Sequence, residues 1–193
     1  MEENNKKDYI LASQSPQRQS LLSQIGYIPK TIYPANIDER VLDNEKPLPY
    51  IKRIARQKAE YVSSLHPNEN VLSADTIIVV GQKIIQKSKT KEEQTKVMHL
   101  LSSRAHRVIT SVCLIDKNGH INQKTVTTKI IMKHLTQEEI STYVSSKEWE
   151  GVAGYRIEGL LSGYVKRIIG SYSGVIGLPL YETRNLLIGA GIH

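Results

Sequence analysis

The chain has 193 residues, 39% of them hydrophobic and 23% charged, with a formal net charge of +7 and one cysteine. That length allows one packed domain, and the composition excludes a disordered, collagen-like or disulfide-stapled protein. No apolar run approaches the roughly 18 residues of a membrane span. The opening MEENNKKDYI has no signal-peptide core behind it, so a cytoplasmic protein without membrane contact is expected. The basic residues are scattered, without a tract interleaved with aromatics, which suits a small phosphorylated ligand and gives no nucleic-acid reading motif.

Residues 1–8 read as a flexible N-terminal extension, and YILAS, residues 9–13, as a short buried strand. SPQRQSLLSQIG follows as a helix with Ser15 as N-cap, Pro16 at its first position and Gly26 as its stop. KTIYPA reads as a second strand, running out into the polar loop NIDERVLDNEKP. From Pro47 to about Leu65, Ile51, Ile54, Ala55, Ala59 and Val62 recur at a helical period, with the lysines and arginines assigned to the opposite, basic face.

NVLSADTIIVVGQKIIQK predicts a β-hairpin turning near Gly81. TKEEQTKVMHLLSS begins with a capping box, Thr90 with Glu93, and TQEEISTYVSS repeats it with Thr136 and Glu139. Between them lies a long hairpin turned at Asn118-Gly119. A glycine-rich stretch from Glu150 to Gly177 precedes a closing helix in LPLYETRNLLIGAG. Strands interleaved with helices and hairpins predict a mixed α/β sheet in one domain.

Asp75 interrupts the otherwise apolar VLSADTIIVV. A buried carboxylate without a partner costs several kcal/mol, roughly, so it needs a cation, donors or a cleft; a salt bridge, a catalytic acid and a metal ligand all fit. Thr76 points to the other face of a regular strand. Glu39 is either a solvated loop charge or a second acid, with Asp38 beside it as competitor. Arg18 lies in the first turn of the first helix, where Ser13, Ser15 and free backbone N–H groups form an anion seat. Lys58 falls within the basic face of the second helix and Lys87 follows the hairpin, whereas Lys52, Lys89 and Lys91 read as solvated charge. Cys113 reads as a small buried core residue. The six histidines have no zinc spacing and no P-loop or dinucleotide fingerprint is present. Two carboxylates and three bases spread over strand ends and helix starts suit a magnesium–triphosphate site.

LASQSPQRQSLL, NIDE, ARQKA, SADTIIVV, HRVITSV, GVAGYRIEG and GSYSGVIGLPL, in that order, resemble the Maf family of nucleoside triphosphate pyrophosphatases. The resemblance runs from about Ile10 to Leu187. It implies a mixed twisted sheet in two lobes around a deep cleft, related to the inosine triphosphate pyrophosphatases, and a cytoplasmic, often dimeric enzyme needing Mg2+ or Mn2+. It also implies cleavage between the α- and β-phosphates, clearance of unwanted nucleotides and a link to septum formation. On the matching motifs, Asp75 is the proton acceptor and Glu39 its partner, both near the metal, while Arg18, Lys58 and Lys87 hold the triphosphate. The specificity positions hold Gln17, Thr76 and Glu158, a mixture of the dTTP/UTP and 7-methyl-GTP patterns that leaves the base open. Ser88 stands where the family has proline, a loop change expected to have little chemical effect.

Overall fold

The computed structural model describes residues 6–193. Its centre is a seven-stranded mixed sheet: β1 (Lys6–Leu11), β2 (Ile28–Ile32), β3 (Val71–Val80), β4 (Lys83–Ile85), β5 (Ala105–Ile115), β6 (Ile121–Met132) and β7 (Val165–Ile169). The order is β2-β1-β3-β5-β6-β7, with β4 also paired to β3. The β1 pairs with β2 and β3 are parallel, and all the others are antiparallel. The mixed α/β expectation is met.

One feature of the pairing creates the cleft. Along its far edge β3 is covered throughout by β5, from Val71↔Ile115 to Val79↔Arg107. Along the near edge β1 covers only Val71 and Leu72, and β4 only Ile78 to Val80. Between these contacts β3 runs past a gap, and Asp75 and Thr76 lie in it. Side chains of a strand alternate, so β3 sends Val71, Ile77 and Val79 toward α2 (Pro47–Leu65) and Leu72 and Ala74 toward α1 (Pro16–Gln24) and α6 (Leu180–Gly189). At the gap, both faces open onto the same cleft.

Helix α2 packs on one face of the sheet through Tyr50, Ile51, Ile54, Ala55, Ala59 and Val62. Full burial of each large aliphatic side chain contributes roughly 1.5–3 kcal/mol. A separate core joins β3, β5 and β6 to α3 (Lys91–Leu101) and α4 (Gln137–Ser146) through Met98, Leu101, Ile130, Ile140 and Tyr143. Thr136 and Glu139 form the full capping box on α4. At α3, Thr90 caps Glu93 N–H, but the Glu93 carboxylate accepts from Lys89 N–H instead of Thr90.

Three sequence expectations change. The first strand begins at Lys6, not Tyr9: Lys6 and Lys7 pair with Ile28 and Pro29, so residues 6–8 belong to the sheet. The expected flexible extension otherwise falls on residues 1–5, outside the described ones. The second strand ends at Ile32, before Pro34, which has no N–H to donate to a ladder. The glycine-rich stretch contains a 3-10 turn (Leu160–Tyr164), β7 and α5 (Tyr172–Ile176), each of five residues and too short to display a period.

Candidate active site

The first wall of the cleft is the turn from β1 into α1. Ser15 is the N-cap, with an extended backbone, and its Oγ accepts from Arg18 N–H at 3.5 Å; Pro16 occupies the first helical position. Pro16 has no N–H and the Gln19 N–H bonds the Ser15 carbonyl, so the Gln17 N–H is left at the cleft, at the helix end that favours an anion. Arg18 is buried. Its Nη1 donates to Ser13 Oγ at 2.9 Å, and its Nε donates to the Gly177 carbonyl at 3.0 Å, 159 residues away. Burial lowers the Arg18 pKa from its usual range, and the charges of Asp75 and Glu39 act against that shift. Gly177 has φ +139, and a Cβ there would meet Arg18 Nε at 3.7 Å and Thr76 Oγ1 at 3.9 Å. Those are ordinary contact distances, so it is the positive φ that strains any residue with a side chain where the carbonyl is needed.

The second wall is an ion cluster. Lys58 Nζ lies 2.7 Å from Asp75 Oδ1 and 2.9 Å from Glu39 Oε1. Lys58 and Asp75 are both buried, whereas the Glu39 side chain is half-exposed. This corrects the placement of Lys58 within the basic face of α2. It stands four residues after Ile54 and seven after Ile51, within the apolar stripe, so its stem runs through the core to the gap in the sheet. That phase was present in the sequence and is the signal that separates Lys58 from the exposed Lys52 and Arg56.

Glu39 is held by its backbone. Tyr50 Oη donates to the Glu39 carbonyl at 2.9 Å. Burial, with the Asp75 and Glu39 charges, pushes the Tyr50 phenol up to about 12, so it remains a donor. Asp38 is engaged elsewhere: Arg40 donates to it through Nε and Nη2, holding its carboxyl at about 2. The choice between the neighbouring acids therefore falls on Glu39.

On the opposite face of β3, Thr76 Oγ1 lies 3.5 Å from the Gly177 carbonyl and 2.9 Å from Thr110 Oγ1, and Thr110 donates to Gly174 O at 2.7 Å. Thr76 thus shares Gly177 O with Arg18. Tyr50, Thr110 and the Gly177 carbonyl were not singled out from the sequence. A carbonyl carries no residue-type signal, and the other two act through backbone atoms distant in the chain.

These two walls, residues 84–89 and residues 151–158 enclose a cleft of about 970 Å3. Ser13, Ser15, Gln17, Arg18, Glu39, Lys58, Asp75, Thr76, Lys87 and Glu158 all line it, so every residue selected from the sequence reaches one site. The contacts divide them. Lys58 touches both Asp75 and Glu39, Arg18 touches Ser13, and Gln17 Oε1 accepts from Ser15 Oγ at 3.3 Å. Lys87, just after β4, and Glu158, in the segment 151–158, enter from two stretches joined where Lys87 forms a β-bridge with Ala153. Lys89, read from sequence as solvated charge, lines the cleft too, as does Arg156. With five cationic side chains against three carboxylates, the cleft favours a polyanion.

Among the described residues, no three His, Cys, Asp or Glu side chains converge as a self-sufficient metal cage. Asp75 and Glu39 each commit one oxygen to Lys58 and retain the other. An oxygen-only pair of this kind fits a hard divalent ion that takes its remaining ligands from substrate phosphates and water.

A family model described as Maf-like protein matches residues 8–190. A dTTP/UTP pyrophosphatase of Paramagnetospirillum magneticum is 44% identical over 183 residues, covering 94% of this chain and 96% of that protein. A dTTP/UTP pyrophosphatase of Agrobacterium fabrum is 42% identical over 197 residues, covering 98% and 95%. A solved dITP/XTP pyrophosphatase of Mycobacterium abscessus aligns with a TM-score of 0.43 at 13% identity over 67% of this chain and 75% of that one, too loose a likeness to support the architecture.

Proposed function

The chain belongs to the Maf family, and on that premise we propose that its cleft hydrolyses nucleoside triphosphates to the monophosphate and pyrophosphate. UTP and dTTP, named for the relatives, are the preferred substrates in this reading. The observation that carries it is the Lys58 bridge between Asp75 and Glu39, set in one cleft with Arg18 and the N-terminus of α1. Pure nucleotide binding has no need of a buried acid facing the phosphates.

In the proposed reaction a water oxygen bonds to Pα, and the bond from Pα to the bridging oxygen breaks. The electron pair leaves with pyrophosphate, and the water's proton passes to Asp75. Glu39 orients the water. Ser13, Ser15 and the α1 N-terminus hold phosphate oxygens, with Lys58 and Lys87 adding positive charge. Arg18, already fixed by two hydrogen bonds, meets the developing charge without reorganising. Asp75 and Glu39 would also hold a Mg2+ or Mn2+ ion, which would neutralise phosphate charge as a Lewis acid.

For the base, Glu158 accepts from the N3–H of a pyrimidine imide, and the Gln17 amide NH2, free while its Oε1 accepts from Ser15, donates to a carbonyl. A cytoplasmic setting accords with a buried, unpaired Cys113.

The test is incubation with Mg2+ or Mn2+ and a panel of nucleoside triphosphates, measuring pyrophosphate against orthophosphate. The expected result is pyrophosphate from UTP and dTTP, reduced at least about 100-fold in Asp75→Asn. Tight nucleotide binding without turnover of any substrate would overturn the reading in favour of a binding regulator of cell division. An unchanged substrate ranking in Glu158→Gln would remove Glu158 from base recognition.

A further inference from the structure

Gln94 is a fully buried amide on α3, outside the cleft lining. Its Nε2 donates to the Gly154 carbonyl at 2.6 Å, and its Oε1 accepts from Ser88 Oγ at 2.8 Å. A carbonyl can only accept, so the amide NH2 must face Gly154 and the amide oxygen must face Ser88. An unpartnered amide here would be destabilising, yet both ends are matched. Ser88 therefore has a hydrogen-bonding role that the sequence reading, which treated it as a neutral loop change, did not give it.

The other end of this relay is a loop pinned residue by residue. Ala153 bridges Lys87. Gly154 has φ +72, and a Cβ on it would stand 2.8 Å from Ile78 Cδ1, so the loop backbone lies directly on β3. Tyr155 is buried with its hydroxyl on His106 Nε2. Beyond this point the burial alternates: Tyr155 and Ile157 point inward, while Arg156 and Glu158 are exposed and line the cleft. The position of Gly154 thus sets how far Arg156 and Glu158 reach into the cleft.

We infer that Gln94, oriented by Ser88, is a positioning residue for the base end of the cleft: it fastens the Gly151–Glu158 segment at Gly154 and so places Arg156 and Glu158. The inference rests on the functional reading above, with the phosphates at the α1 end. Gln94 touches neither substrate nor the ion cluster; it acts through the loop.

The test compares Gln94→Met, Ser88→Ala and Ser88→Thr with the parent protein. The measurements are kcat and KM for UTP, the ranking across nucleoside triphosphates, and inhibition by inorganic tripolyphosphate, which has no base to be read. In Gln94→Met, KM for UTP rises about tenfold with kcat changed less than about threefold, and the ranking flattens. Tripolyphosphate inhibition changes less than KM for UTP, within about threefold, because of the groups placed on phosphate only Lys87, bridged to Ala153, is tied to the loop. Ser88→Ala moves KM in the same direction by about threefold, and Ser88→Thr, which keeps the hydroxyl, restores it. A fall in melting temperature with KM and ranking unchanged would make Gln94 a packing residue and overturn the inference. If Gln94→Met does not fold, Ser88→Ala decides, and unchanged KM and ranking there overturn it equally. If the parent protein releases no pyrophosphate from any triphosphate, the functional reading fails. The relay is then judged by affinity for α,β-methylene-UTP: weaker binding in the variants supports it and equal binding overturns it.

Discussion

Replacing Lys58 by methionine tests the ion cluster directly, because it keeps the stem in the apolar stripe and removes only the charge. The Lys58 and Asp75 side chains are 10% and 13% exposed and 2.7 Å apart. At an effective dielectric of about 20 the gross attraction is about 6 kcal/mol, much of it offset by desolvation. Removing one partner leaves the buried Asp75 carboxylate uncompensated, which costs about 3–5 kcal/mol. The variant also places Asp75 against Glu39. Their oxygens lie at most about 5.6 Å apart, the 2.7 and 2.9 Å arms laid end to end. With Glu39 half-exposed, screening reduces that repulsion to about 1 kcal/mol. For a chain of this length the total of about 4–6 kcal/mol corresponds to a melting temperature lower by about 8–24 °C. The assay is thermal unfolding at neutral pH of Lys58→Met, Asp75→Asn and the double variant, read as a double-mutant cycle. Asp75→Asn removes the stranded charge, so the double variant is expected to recover about 2 kcal/mol relative to additivity. Added Mg2+ should raise the melting temperature of Lys58→Met more than that of Asp75→Asn, since only the former keeps both carboxylates. A coupling below about 0.5 kcal/mol would refute the reasoning, because the three groups would then not share one electrostatic balance.

Two further outcomes follow from the same geometry. Arg18→Lys replaces a guanidinium fork that serves Ser13 Oγ and Gly177 O together with a single ammonium; steady-state kinetics with magnesium UTP should show KM raised about 10–100-fold, and an unchanged KM would remove Arg18 from the phosphate grip. His106 is buried beside Tyr155, and burial lowers its pKa from 6.5 to about 4. The unfolded chain then binds more protons than the folded one between those values, so stability is full above pH 6.5 and falls as pH drops toward 4. The loss approaches about 3 kcal/mol. Denaturant titrations between pH 7 and 4.5 should show that slope in the parent and a shallower one in His106→Gln; equal slopes would mean that His106 does not carry it.

Much of the site was legible because each signal was local. Ser15 and Pro16 announce a helix start by their own backbone chemistry, and Asp75 stands out as one charge in an apolar strand. Asn118-Gly119, Gly81 and the Thr136–Glu139 box likewise declare turns and caps within a few residues. Lys58 was found but put on the wrong face, although its phase with Ile51, Ile54 and Val62 marked it as inward-pointing. The glycine-rich stretch concealed β7 and α5 because elements of five residues are too short to display a period.

The sequence alone determined which side chains could do chemistry and the alternation that turns Asp75 and Thr76 to opposite faces of β3. Only the tertiary structure decided that both faces open into one cleft. That depends on β1 releasing β3 after Leu72 and β4 joining it at Ile78. Tertiary contacts also drew Glu39 into the cluster, through Tyr50 and Lys58, and tied Ser88 to Gly154 through Gln94. The physical reason is common to all of these: a cap, a turn or a burial pattern is written within one helical turn or strand. A hydrogen bond to a carbonyl 60 or 159 residues away leaves no mark on the residues beside it.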